Sequence, residues 1–198
     1  MAELTEIRWH GRGGQGAKTV AEFLALVALN EGKYSQGFPE YGPERSGAPI
    51  KGYTRISDSP IKMHSAVYTP QVVLVLDTSL MGAVDVCEGL VPGGTVILNT
   101  PHSPEEVVRE YPALADKIVW TLDADGIARD EIGRPIPNMP MLGALVRATG
   151  AVEMKTVEEN IRKEFSGKFS EKVLEGNIRA VRRAGEEARS NRAATAGS

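Results

Sequence analysis

Residues 11 to 16 read Gly-Arg-Gly-Gly-Gln-Gly, four glycines in six positions, with an apolar stretch before them and a helical pattern after. Glycine accepts positive φ and has no Cβ, so such a turn brings backbone N–H groups close to an anion. The first amides of the following helix have no intrahelical partner and point the same way. Arg12 adds a guanidinium suited to charge-assisted bonds with phosphate oxygens, and Gln15 adds an amide donor. Gly11, Arg12, Gly13, Gly14, Gln15 and Gly16 are therefore the candidate binding residues, and phosphate is the candidate ligand chemistry. The same six residues also suit a plain turn that packs helix on strand.

Two familiar nucleotide readings fit poorly. Gly11-x-Gly13-x-x-Gly16 matches the dinucleotide fingerprint. That site needs a second strand ending in an acid about 20 residues on, to hold a ribose. Here that stretch is rich in proline and glycine, with no apolar strand before Glu40 or Glu44. A P-loop needs lysine directly after its last glycine. Ala17 intervenes, which turns Lys18 by about 100° around the helix. The three histidines, His10, His64 and His102, lie far apart, and Cys87 is the single cysteine. No catalytic acid–base pair and no metal-ligand spacing emerges, and one cysteine cannot hold an iron–sulfur cluster. His10 reads as a hydrogen-bonding core histidine, Cys87 as a small buried hydrophobe, and Met139 and Met141 as gap fillers. Asp77 closes an apolar run, where it either caps the next helix or meets a ligand at the end of a strand. Arg179, Arg182 and Arg183 read as a solvated helix face.

The elements that must position these residues follow from periodicity. Ile7–His10 reads as a first strand and Lys18–Asn30 as a well-buried helix closed by Gly32. Residues 34–49 show no apolar periodicity and read as an irregular segment. Residues 50–57 alternate as a strand, with 61–68 as a candidate hairpin partner. "QVVLVLD" is a continuous apolar run, as in a fully buried parallel strand. A short helix over Leu80–Leu90 precedes the strand "TVILN". Ser103-Pro104-Glu105-Glu106 marks a helix start. "KIVWTLDA" is another strand, and a proline-rich loop leads to a helix stopping at Gly150. Thr156 with Glu159 suggests a capping box, and residues 160–165 and 171–189 read as helices. The expectation is a three-layer α/β fold with a mixed, mostly parallel sheet, a Rossmann-like first strand, glycine turn and helix, and a helical C-terminus. One domain spans 4–187, and residues 190–198 lack core-forming side chains and read as a disordered tail.

The chain has 198 residues, 41% hydrophobic and 25% charged, with a formal net charge of -3. This is the composition of a soluble globular protein without the basic surface of a nucleic-acid binder. No apolar run reaches the roughly 18 residues of a membrane span, and no signal peptide is evident. A cytoplasmic location is expected.

"EIRWHGRGGQGAKTVAEFLA", "GFPEYGPERSGAPIKGYTRISDSPI", "VLDTSL" and "GRPIPNMPMLGALVRATG" occur in this order. Together they resemble the gamma subunit of the 2-oxoacid:ferredoxin oxidoreductases, with pyruvate:ferredoxin oxidoreductase (pyruvate synthase) the nearest type. The resemblance implies a subunit of an enzyme that decarboxylates a 2-oxoacid on thiamine diphosphate. Electrons leave through [4Fe-4S] clusters to ferredoxin, and the acyl group passes to coenzyme A. Thiamine diphosphate would lie between alpha and beta subunits, and the clusters in beta and delta. This chain would bind no cofactor of its own and would contribute to coenzyme A binding through the glycine turn. Glu40, Tyr41, Glu44 and Arg45 would face partner subunits. The alternative is a free-standing Rossmann-like nucleotide-binding module.

Overall fold

The computed structural model describes residues 4–40 and 47–192. Among them β1 (Leu4–Arg12), β2 (Tyr34–Pro39), β3 (Pro49–Ser57), β4 (Val72–Val75), β5 (Thr95–Asn99), β6 (Ile118–Leu122) and β7 (Arg189–Ser190) form one sheet, ordered β2-β3-β1-β4-β5-β6-β7. β1, β4, β5 and β6 run parallel. β3 is antiparallel to β1 and β2, and β7 to β6. The helices are α1 (Ala17–Asn30), α2 (Pro104–Glu110), α3 (Ala124–Ile132), α4 (Asn138–Thr149), α5 (Met154–Phe165) and α6 (Glu171–Glu187).

Alternate residues of each strand point to opposite faces, and two separate cores result. Ile7, Trp9, Leu74, Ile97 and Leu122 pack with α1, α3, α4, α5 and α6 on one face. Val73, Val75, Val96, Leu98 and Val119 pack on the other with Leu80, Val86, Leu90, Val107 and Leu114. The layers are three, as expected, but unequal: five helices cover one face, and one short helix with irregular chain covers the other.

The first helix lies against the sheet because its small residues meet strand glycines. Ala17, Ala21 and Ala25 recur every fourth residue of α1. A Cβ added to Gly52 would stand 2.8 Å from the Ala17 carbonyl oxygen, and one on Gly37 2.7 Å from that of Ala21. Trp9 ties the contact together: its indole N–H donates to Thr54 Oγ1 at 3.1 Å, and Thr54 Oγ1 donates to the Ala21 carbonyl at 2.9 Å. Burying each such large apolar side chain is worth roughly 1.5–3 kcal/mol.

Several sequence expectations are corrected. Residues 34–39, expected as irregular chain, form β2. Gly37 marks close approach to α1 and Pro39 an edge-strand end rather than a turn. Residues 61–68 form no strand; β3 pairs with β2 and β1 instead. The helix expected over 80–90 is a 3-10 turn, Thr78–Gly82, followed by irregular chain. Helix α3 was not legible in the sequence. α5 starts at Met154 with Glu153 as its N-cap, so Thr156 lies inside the helix and forms no capping box. Ser190 pairs with Trp120, and Asn191 accepts from the Val119 N–H at 2.9 Å, so residues 190–192 are held on the sheet. Residues 193–198 of the expected tail lie outside the described residues. The helix start at Ser103 forms as read, with Glu106 closing it into a capping box, and Gly150 ends α4 in the left-handed region.

β1 is the point from which the chain leaves in both directions. From β1 it passes through α1 to β2 and β3 on one side, then returns to β4 on the other. In open α/β sheets the crevice at the carboxyl ends of strands flanking such a switch is the usual ligand position. The glycine turn follows β1 there, and Asp77 follows β4.

Candidate functional site

The turn enters α1 through Gly16, at φ 81° and ψ 20°, a left-handed residue that gives the helix no side-chain cap. Gly14 is also left-handed, at φ 98°. The amides that open α1 are thus left for another acceptor. A Cβ on Gly16 would come within 2.4 Å of Asn138 Nδ2, at the first residue of α4. Pro137, the N-cap of α4, supplies no side-chain cap, and Asn138 Oδ1 takes only the Met139 N–H at 2.9 Å, so two helix starts meet at the turn. Their dipoles favour negative charge in the same place.

Arg12 and Gln15 are already held. Arg12 Nε donates to Asp77 Oδ2 at 3.1 Å, Nη2 to Ser79 Oγ at 2.9 Å and Nη1 to the Gly47 carbonyl at 3.1 Å. Among the described residues, one N–H on each terminal nitrogen is left without a partner. Gln15 Nε2 donates to Asp77 Oδ2 at 3.1 Å, and Gln15 Oε1 accepts from the Arg12 N–H at 2.7 Å. Asp77 also caps the 3-10 turn, as expected, accepting from the Ser79 N–H at 3.0 Å. Burial alone would raise the Asp77 carboxyl. The hydrogen bonds from Ser79 and Gln15, with the Arg12 charge, hold it below the usual carboxylate range.

The P-loop and dinucleotide readings fail on geometry. Lys18 is exposed on α1, and Asp77 is paired with Arg12. A second strand does precede Glu40, but β3 lies between it and β1. Each strand adds about 4.8 Å, so Glu40 is a strand too far from the turn to hold a ribose. Glu40 instead accepts from the Tyr53 hydroxyl at 3.0 Å and pairs with Lys51 at 3.4 Å. Burial first, and then the Glu40 carboxylate, push the Tyr53 hydroxyl up, so it stays a neutral donor. Tyr41, Glu44 and Arg45 lie outside the described residues.

Other residues fall largely as read. His10 is buried, and burial, Arg8 and Lys51 lower it to about 3, leaving a neutral ring whose Nε2 accepts from Arg8 Nε at 3.0 Å. Met139 and Met141 are core residues. Arg179, Arg182 and Arg183 are not merely solvated: they pair with Glu131, Glu158 and Asp130 of other helices.

Two features escaped the sequence. Glu6 and Arg8 alternate with Ile7 and Trp9 on the same side as His10, and both are buried with it. Arg55 Nε donates to Glu6 Oε1 at 2.7 Å, and Arg8 Nη2 donates to the Val86 and Glu88 carbonyls. The second is a cleft of about 380 Å³ at the carboxyl ends of β5 and β6, lined among others by Thr78, Asn99, His102, Asp123 and Asp125. Asn99 holds its rim: Oδ1 accepts from the Ala124 N–H at 2.9 Å, and Nδ2 donates to Asp125 Oδ2 at 3.0 Å. Burial raises the Asp125 carboxyl. Its acids make this cleft a poor place for phosphate, which the glycine turn suits.

Comparison with known proteins agrees with this frame. The pyruvate ferredoxin/flavodoxin oxidoreductase family matches residues 6–187. A pyruvate/ketoisovalerate oxidoreductases common subunit gamma from Thermococcus kodakarensis is 50% identical over 85% of this chain and 91% of its own. The crystal structure of pyruvate oxidoreductase subunit PORC from Thermotoga maritima superposes with a TM-score of 0.84 at 43% identity, covering 96% of this chain and 99% of that one. A 2-oxoglutarate:ferredoxin oxidoreductase from Magnetococcus marinus shares the fold at a TM-score of 0.74 and 21% identity, with 31% of its longer chain covered. The chain belongs to the pyruvate ferredoxin/flavodoxin oxidoreductase family, among its gamma (PorC-type) subunits.

Proposed function

We propose that this chain is the gamma subunit of a cytoplasmic multi-subunit enzyme that oxidatively decarboxylates a 2-oxoacid, pyruvate first, to acyl-coenzyme A and carbon dioxide. Its glycine turn holds a phosphate of coenzyme A. Relatives named for pyruvate and ketoisovalerate oxidation support the substrate class. Alpha, beta and delta subunits carry thiamine diphosphate and [4Fe-4S] clusters and pass electrons to ferredoxin. The segment with Glu40, Tyr41, Glu44 and Arg45 meets those partners.

The observation that carries the coenzyme reading is the uncapped, left-handed entry to α1 beside a restrained arginine. Gly14 leaves the approach open, Gly16 makes the left-handed entry, the α1 amides donate, and the remaining Arg12 N–H groups add charge-assisted bonds. Gly11 and Gln15 shape the turn from beneath. A phosphate fits these donors, whereas the acidic cleft beyond Asp77 offers mainly acceptors.

Purification of the native assembly tests the function. The chain is expected in a brown complex with cluster-bearing partners, reducing ferredoxin when given pyruvate and coenzyme A. A colourless chain recovered alone, or a complex inactive on a panel of 2-oxoacids, contradicts it.

A further inference from the structure

We infer that Asp77 is a positioning residue for the anion site: its carboxylate fixes the directions of Arg12 and Gln15, so that the turn meets phosphate already shaped. This deepens the coenzyme reading of the turn and rests on it.

Asp77 stands beside the end of β1 because β4 pairs with β1 up to His10 and Val75, and the Leu76 N–H donates to the His10 carbonyl at 2.8 Å. From there one carboxylate serves two tasks. Oδ2 takes Arg12 Nε and Gln15 Nε2, both at 3.1 Å. Oδ1 takes the Ser79 N–H at 3.0 Å and the Ser79 hydroxyl at 2.6 Å. Gln15 returns to the Arg12 N–H, and Arg12 Nη2 returns to Ser79 Oγ, closing a ring of side chains around the turn. A free arginine samples many rotamers, and ordering it on binding weakens affinity. Here that ordering is complete before a ligand arrives. Asp77 also offsets part of the Arg12 charge, so the gain is one of direction rather than of net charge.

The two tasks separate by substitution. Asp77→Ser retains a helix-capping hydroxyl for the Ser79 N–H but is too short to reach Arg12. Asp77→Asn keeps one acceptor of the original length and puts an amide donor where the other oxygen stood, so it serves either Ser79 or Arg12 and Gln15 but not both. The experiment is steady-state kinetics of the reconstituted complex with Asp77→Ser, Asp77→Asn, Arg12→Ala and the Asp77→Ser/Arg12→Ala double variant. The readout is the ratio of the coenzyme A KM to the 2-oxoacid KM. Asp77→Ser is expected to raise the ratio about tenfold, the scale of one charge-assisted bond. Asp77→Asn, with one acceptor left, should fall between Asp77→Ser and the parent, and the double variant should be no worse than Arg12→Ala, as for residues acting as one unit.

If Asp77→Ser leaves the ratio unchanged while Arg12→Ala raises it, the positioning role is wrong and the phosphate reading stands. Multiplying effects in the double variant likewise overturn it. If Arg12→Ala leaves the ratio unchanged, the phosphate reading falls and the role of Asp77 falls with it.

Discussion

β1 carries two arginine–carboxylate pairs, one near each end, and they differ in nearly everything except their chemistry. At the start, Glu6 meets Arg55 of β3 at 2.7 Å, with the Arg55 side chain 1% exposed. Gln36, the Ala66 carbonyl and the Phe38 ring take up the rest of that guanidinium. At the far end, Arg12 meets Asp77 at 3.1 Å, with side chains 32% and 22% exposed. The inner pair is closed off from any ligand by burial, and its charges are costly to separate. The outer pair contributes little to stability but holds a guanidinium at the rim with N–H groups unspent among the described residues. Solvent access, more than residue type, divides a structural ion pair from one that a ligand can reach.

The comparison breaks most visibly on the inner pair. Arg55→Met leaves the Glu6 carboxylate buried without its counter-charge, and urea denaturation should show a loss of about 3–5 kcal/mol. Joint replacement, Glu6→Leu with Arg55→Met, should recover most of that loss. A double variant as unstable as the single one would mean that the remaining Arg55 contacts, not the pair, hold β3.

Acid sharpens the comparison next. His10 lies on β1 between the two pairs, with its pKa lowered from 6.5 to about 3. The unfolded chain therefore binds the proton more readily, and stability falls as pH drops below 6.5 toward 3, by on the order of 5 kcal/mol. Asp77 adds to the loss only below its unfolded value of 3.8, since its carboxyl is held lower in the fold. Denaturation midpoints between pH 7 and 4 should fall for the parent and flatten in His10→Gln. An equal slope in both would assign the acid sensitivity to other groups.

The smallest effect belongs to the outer pair. Asp77→Asn should change stability by no more than about 1 kcal/mol, as for a half-exposed pair. A loss rivalling that of Arg55→Met would make the two pairs alike and remove the distinction.

The legible parts of the fold were those with strong local signals. The glycine turn, the apolar runs of β4 and β5, the Ser103–Glu106 helix start and the Gly150 stop each declare themselves within a few residues. β2 did not, because its inner face is set by a glycine against α1 rather than by apolar alternation. α3 was hidden by Gly126 and its charges; its start depends on Asp123 accepting from the Gly126 N–H. At the site, the turn and Arg12 could be read directly. The Asp77 contact could not, because 65 residues separate it from Arg12 and only the β1–β4 register brings them together. The burial of Glu6 and Arg8 beside the core histidine His10 was equally hidden, since alternation alone does not tell a covered polar face from a wet one.

The account rests on the glycine turn and Arg12 as a phosphate site for coenzyme A. Its most direct test is the coenzyme A KM of the reconstituted complex carrying Arg12→Ala, measured beside the 2-oxoacid KM. Loss of a charge-assisted contact predicts a coenzyme A constant about ten- to a hundredfold higher, with a much smaller change in the oxoacid constant. A coenzyme A constant equal to the parent's, in an intact complex, would contradict the account and leave the turn as a device for seating α1 on the sheet.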